Sequence, residues 1–146
     1  MSKLIYVLNG PNLNLLGQRE PEIYGTTTLA DIERMVGDRA SSHCLKISFH
    51  QSNHEGELVD LCHQAREKAA GLIVNLGAFT HTSIAIFDAL SAVDKPIIEV
   101  HLSNIYARES FRHKSYVSPL ARGVICGLGA QGYQLAMDGM AEILSK

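Results

Sequence analysis

Leu4-Ile5-Tyr6-Val7-Leu8 runs directly into Asn9-Gly10-Pro11. Five apolar residues without polar alternation describe a strand buried on both faces, as in a parallel sheet with helices on either side, and Asn-Gly-Pro ends it. Outward from this stretch the pattern repeats. Leu29, Ile32, Met35, Val36 and Ala40 recur at helical spacing between Thr28 and His43, with Thr28 placed to cap the first turn and Asp31 in the capping-box position. Leu45 to His50 reads as a second strand. Leu58, Leu61, Cys62, Ala65 and Ala69 then predict a helix for which Gly71 is the C-terminal glycine. Leu72-Ile73-Val74 is a third strand, running into Asn75-Leu76-Gly77-Ala78-Phe79-Thr80-His81. Thr82 or Ser83 caps a helix through Val93, Ile97 to His101 is a fourth strand, and Gly123 to Gly127 a fifth. A last helix from Gly132 to Leu144 sets Ala136, Met140, Ile143 and Leu144 on one face.

Strands alternating with helices in this way imply right-handed crossovers and a parallel sheet covered on both faces. The expected fold class is α/β, flavodoxin-like, with five strands in the order 2-1-3-4-5. Ligands of such sheets bind beyond the carboxyl ends of the strands, at the switch point between strands one and three. The 146 residues suffice for one core, and no linker, repeat or low-complexity tract divides them, so residues 1–146 are expected to form a single domain.

An apolar share of 46% and a charged share of 19% belong to a globular chain and not to a disordered one. The 15 acidic and 13 basic side chains are interspersed, for a formal net charge of -2, which argues against a nucleic-acid partner. The run from Met1 to Asn9 is too brief for a signal peptide or membrane span, so a cytoplasmic protein without a membrane partner is expected. Cys44, Cys62 and Cys126 show no metal-ligand spacing and read as small, buried, reduced hydrophobes. The seven histidines include no HExxH and no evident carboxylate partners, and there is no GxGxxG or GxxxxGK[ST], so neither a metal nor a nucleotide cofactor is expected.

The predicted topology gathers Asn9, Asn12, Asn75, His81, His101, Ser103 and Asn104 on loops at one sheet edge. Any one asparagine is readily a turn residue, but the concentration points to a site. Between strand one and helix one lie about eighteen residues, Gly10 to Thr27, where two to six are usual; this suggests a lid with Gly17 and Gly25 as hinges. It carries Arg19 and Tyr24. A tyrosine serves as a general base only when its pKa falls well below about 10, and a neighbouring arginine is a sufficient cause. His101 ends strand four as a candidate proton donor, and Glu99, two residues earlier on the same strand face, is placed to orient it. The amides of Leu102 and Ser103, and the helix start at Thr82 or Ser83, suit a carboxylate, with Arg108 and Arg112 as secondary cations.

Asn9-Gly10-Pro11-Asn12-Leu13-Asn14-Leu15-Leu16-Gly17, Arg19 to Tyr24-Gly25, Gln51-Ser52-Asn53-His54-Glu55-Gly56, Thr80-His81-Thr82-Ser83 and Glu99-Val100-His101-Leu102-Ser103-Asn104 together resemble the type II 3-dehydroquinate dehydratase family over essentially the whole chain. The resemblance implies dehydration of 3-dehydroquinate to 3-dehydroshikimate by anti elimination through an enolate, in the shikimate pathway of aromatic amino acid biosynthesis, without metal, cofactor or Schiff base. It implies Tyr24, activated by Arg19, as the base, His101 as the acid positioned by Glu99, and Asn12 as an enolate stabiliser acting through a water. Asn75 with the amides of Leu102 and Ser103 would hold the substrate carboxylate, and His81 and Arg112 its ring hydroxyls. Arg108 would help order the lid. Asp88 would enter a neighbouring subunit's site in a homododecamer of four trimers. Leu76 and Phe79 depart from the family's usual proline and tyrosine.

Two other readings of the residues remain at this point. One is a flavodoxin-type module holding a flavin or nucleotide, although Asn9 to Gly17 is a poor phosphate loop. The other is a hydrolase using Ser103 with His101 or Ser83 with His81, although the chain lacks a GxSxG elbow.

Overall fold

The computed structural model describes residues 2–146, with the side chains of Ile23 and Tyr24 outside that description. Five strands, β1 (Lys3–Asn9), β2 (Leu45–Gln51), β3 (Gly71–Asn75), β4 (Ile97–His101) and β5 (Gly123–Cys126), form one parallel sheet in the order β2-β1-β3-β4-β5. The helices are α1 (Pro21–Tyr24), α2 (Leu29–Ser42), α3 (Glu55–Lys68), α4 (Ile84–Ser91) and α5 (Gln131–Leu144). The flavodoxin-like order expected from the alternation is thus the one formed.

β1 explains why its five-residue apolar run is needed. Ile5 and Val7 pack with Ile32, Val36, Tyr133, Met137 and Met140 under α2 and α5, while Tyr6 and Leu8 pack with Leu58, Cys62, Ile86 and Leu90 under α3 and α4. Successive side chains of a strand point to opposite faces, so a strand covered twice must be apolar at both parities. α2 begins as expected: Thr28 Oγ1 accepts from the Asp31 amide at 3.1 Å and Asp31 Oδ2 from the Thr28 amide at 3.0 Å, a complete capping box.

Several local expectations are corrected. α3 ends at Lys68, with the Ala69 amide bonded to Ala65 O, so Gly71 is no helix terminator but the first residue of β3. Its glycine serves packing, because a Cβ there would lie 2.5 Å from Met140 Sδ in the core. Ser83, not Thr82, caps α4, which ends at Ser91 short of Val93. The connection Gly10 to Thr27 is not bare loop; it holds a 3-10 turn (Leu13–Leu15) and α1, with its expected hinges Gly17 and Gly25 at φ 86° and 78°. Cys62 is buried, but Cys44 is exposed and Cys126 half-buried. His43 does have a carboxylate partner, Asp138 Oδ1 at 2.7 Å, reached across 95 positions from α5. Among the described residues no helix is long and apolar enough to cross a membrane.

Candidate active site

β1, β3 and β4 all end at one edge of the sheet, and the chain leaving each builds a cleft of about 200 Å³ there. Its wall takes Asn12, Leu13, Leu16 and Arg19 from the connection after β1, Asn75, Gly77 and His81 from the end of β3 onward, and His101, Leu102, Ser103, Arg108 and Arg112 from the end of β4 onward. Gly10 lets the first two segments meet: its amide donates to Asn75 O at 2.8 Å, and a Cβ on it would stand 2.1 Å from Leu76 O. Asn12 adopts φ 69°, a left-handed conformation that asparagine tolerates, and its amide donates to Asn53 Oδ1.

The orientation of Asn75 follows from a chain of hydrogen bonds that begins at a backbone carbonyl. A carbonyl only accepts, so Asn9 turns its Nδ2 toward His50 O at 2.9 Å and its Oδ1 toward Tyr133. The Tyr133 hydroxyl therefore donates to Asn9 Oδ1 at 2.7 Å and accepts from Asn75 Nδ2 at 2.9 Å, while the Gly77 amide donates to Asn75 Oδ1 at 3.3 Å. Burial pushes the Tyr133 hydroxyl well above its ordinary pKa, so this proton stays in place. Asn75 is left with one N–H, a donor suited to an anion.

His81 is also fixed by a carbonyl. Its Nδ1 donates to Lys114 O at 2.7 Å, leaving Nε2 as the remaining ring nitrogen. Burial holds the imidazole below its ordinary pKa against the opposing hydrogen bond to Lys114 O, with the charges of His101 and Arg112 lowering it further, so Nε2 is an acceptor for a hydroxyl. The rings of His81 and His101 stack with centroids 6.3 Å apart.

Glu99 is completely buried, and its Oε2 lies 2.6 Å from His101 Nε2. Burial drives its carboxyl upward, but hydrogen bonds from His101 and Ser118, the His101 charge and a hydrogen bond from Ser115 outweigh that and hold it below the ordinary value. The 3-10 turn Ser110–Arg112 brings Arg112, whose Nε donates to Glu109 Oε1 at 3.1 Å, and Arg108 Nη1 reaches Ser103 Oγ at 3.5 Å. Arg19 pairs with Glu20 at 3.5 Å. Three guanidinium groups around a cleft of this size favour an anionic occupant.

Of the candidates from sequence, Asn12, Arg19, Asn75, His81, His101, Leu102, Ser103 and Arg112 meet in this cleft, as does Arg108. Glu99 stands behind His101. Asp88 is exposed on α4, outside the cleft lining. The Tyr24 side chain lies outside the described residues; its backbone closes α1 beside Gly25. Tyr133, Ser115 and Ser118 were not singled out from sequence, since nothing local marks a helix tyrosine 58 positions from Asn75 or two loop serines 16 and 19 positions from Glu99.

The two serine–histidine pairs considered for a hydrolase do not form. Ser83 is 3% exposed, caps the Ile86 amide and donates to Glu55 Oε2, while His101 turns Nε2 to Glu99. Ser48 and His50 do touch at 2.6 Å, but on β2, outside the cleft. Among the described residues no group of three or more His, Cys, Asp or Glu side chains is arranged to hold a metal ion.

A flavodoxin-like sheet whose carboxyl edge carries an arginine-rimmed cleft and a buried carboxylate–histidine pair is the framework of an α/β enzyme acting on a small anion. The Dehydroquinase class II family model matches residues 3–141. The chain is 60% identical over 136 residues to a 3-dehydroquinate dehydratase of Dinoroseobacter shibae, covering 93% of this chain and 91% of that one. It is 58% identical to 3-dehydroquinate dehydratase 2 of Pseudomonas putida, covering 100% and 98%. The crystal structure of a type II dehydroquinase from Propionibacterium acnes superposes with a TM-score of 0.93 at 46% identity, covering 97% and 98%. The chain belongs to the class II dehydroquinase family.

Proposed function

We propose that this chain removes water from 3-dehydroquinate to give 3-dehydroshikimate, as a step of the shikimate pathway. The observation that carries the reading is the Glu99–His101 pair at the floor of a cleft that also presents the Asn75 donor and three arginines. A carboxylated, polyhydroxylated ring needs both an anion contact and hydroxyl acceptors, and the cleft supplies each.

In this mechanism the carboxylate rests on Asn75 Nδ2 and the amides of Leu102 and Ser103, which lie just past the last β4–β5 pair, His101 with Cys126. His81 Nε2 and Arg112 take the ring hydroxyls. Tyr24, made acidic by Arg19, removes the proton next to the carbonyl, and the electron pair left behind forms an enolate that Asn12 stabilises through a water. Collapse of the enolate breaks the C–O bond, and His101 gives its proton to the departing hydroxyl, which leaves as water. Anti elimination requires the base and the acid to act on opposite faces of the substrate ring. Side chains perform each proton transfer, so no step calls for a metal, cofactor or Schiff base. Leu76 and Phe79 remove no group from this scheme; Leu76, which follows Asn75 at the end of β3, is buried in the core.

We further assign residues 1–146 to one catalytic domain, working in the cytoplasm with a small-molecule substrate and neither nucleic acid nor membrane as partner. Assembly as a homododecamer of four trimers, with Asp88 entering a neighbouring site, is supported by the exposure of Asp88 on α4, beside Ile84 at 58% exposure.

The test is the ultraviolet absorbance of purified protein with 3-dehydroquinate, which follows the conjugated enone, with and without a chelator and borohydride. Product that forms in the presence of both supports a metal-free dehydratase without a Schiff base. No product under any condition would refute the dehydratase reading.

A further inference from the structure

Glu99 has no water contact, yet both of its oxygens are engaged by the loop that follows β4. Oε2 is shared by His101 Nε2 at 2.6 Å and Ser115 Oγ at 2.8 Å, and Oε1 is bonded to Ser118 Oγ. The direction of the Ser115 bond is forced. Its Oγ already accepts from the Val117 amide at 3.0 Å and the Ser118 amide at 3.1 Å, which fills both lone pairs. Only its proton remains for Glu99, so Oε2 accepts there.

Ser118 differs in one useful respect. It lies at the start of the 3-10 turn Ser118–Leu120, its hydroxyl caps no amide, and its hydrogen bond is spent on Glu99 alone. Ser115 braces the loop and the carboxylate together. Donors converging on a carboxylate that is out of water favour the charged form, which has no hydrogen to offer. A carboxylate that can only accept requires the hydrogen between Glu99 and His101 to belong to Nε2. The nitrogen left for a ligand is Nδ1.

We infer that Ser115 and Ser118 are positioning residues that hold Glu99 as a pure acceptor and thereby fix the neutral His101 ring as its Nε2–H form, so that the acid is the imidazolium formed when Nδ1 takes up a second proton, and it is this Nδ1 proton that goes to the leaving hydroxyl. The inference rests on the dehydratase reading for its catalytic consequence, but not for the hydrogen arrangement itself. Without the serines a buried Glu99 takes up a proton and donates it to Nε2, which drives the imidazole hydrogen onto Nδ1. In that form the neutral ring needs no second proton to satisfy Glu99, and the charged ring loses its counter-ion.

The arrangement is read by nitrogen NMR of the histidine-labelled full-length protein at a pH where His101 is neutral, with His101 assigned by its loss in His101→Ala. Wild type is expected to show Nε2 bearing the hydrogen. Ser118→Ala shifts the ring toward the Nδ1–H form and lowers kcat about tenfold or more with little change in KM, and Ser118→Thr, which restores a hydroxyl, recovers both readouts. Ser115→Ala shifts the ring in the same direction. A wild-type ring found as Nδ1–H, or a folded Ser118→Ala protein that keeps the Nε2–H form and a kcat within about twofold of wild type, would overturn the inference. Because the ring signal is read without substrate, failure on 3-dehydroquinate would sink the dehydratase reading while leaving the serine assignment to stand or fall on its own.

Discussion

Tyr133→Phe removes one oxygen from the centre of the molecule and leaves the ring in place. Tyr133 is fully buried, and its hydroxyl bridges Asn9 Oδ1 at 2.7 Å and Asn75 Nδ2 at 2.9 Å. Phenylalanine fills nearly the same space, so the change creates no cavity worth counting. What it leaves is an acceptor on Asn9 and a donor on Asn75, both buried and without partners. Each such group costs about 1–3 kcal/mol, so a total loss of about 2–6 kcal/mol is expected. Released from Tyr133, Asn75 is held only by the Gly77 amide and no longer aims its free N–H into the cleft. A hydrogen bond to a charged group is worth about 1.5–3 kcal/mol, which converts to a KM for 3-dehydroquinate higher by about 10- to 100-fold. His101 and Glu99 are not in this network, so kcat falls less. Urea denaturation gives the stability change and steady-state kinetics the KM. A variant with wild-type KM would show that Asn75 is not oriented by Tyr133, and an unchanged urea midpoint would show that the three side chains do not form a buried relay.

The remaining predictions concern the other parts of the site and its frame. Tyr24→Phe and Arg19→Ala should abolish turnover with thermal unfolding unchanged, and His101→Ala should lower kcat more than it raises KM; normal activity in the Tyr24 or Arg19 variant would remove the role assigned to it. Gly10→Ala drives a methyl against the Leu76 backbone, which cannot rotate away, and should destabilise by about 3 kcal/mol or more in a calorimetric scan. Thr28→Ala breaks the α2 capping box and should cost about 1 kcal/mol with activity retained. The Glu99 carboxyl lies below its ordinary value when folded, so its stabilising contribution is complete above the unfolded value of about 4.3 and is lost as pH falls through the lower folded value. Glu99→Gln should therefore flatten the acid limb of a Tm-against-pH profile, and a variant limb as steep as wild type would contradict the assignment.

Periodicity was enough to read the frame of this protein from its sequence. The run Leu4 to Leu8 demanded a strand covered on both faces, the alternation with helices demanded parallel crossovers, and the strand ends then placed Asn75, His81 and His101 at one edge. Glu99 and His101 were legible as a pair because residues two apart on a strand share a face, a relation local to the backbone. Local rules failed where distant segments meet. Gly71 looks like a helix terminator until Met140 is seen against it, and His43 looks unpartnered until α5 brings Asp138 to it. The same holds for what orients the site: Tyr133 reaches Asn75, and Ser115 and Ser118 reach Glu99, only because the folded chain packs α5 and the loop after β4 against the sheet. The chain carries its element order in short-range pattern, whereas the hydrogen-bond directions that aim Asn75 and His101 come from groups far apart in sequence, whose meeting only the packed fold decides.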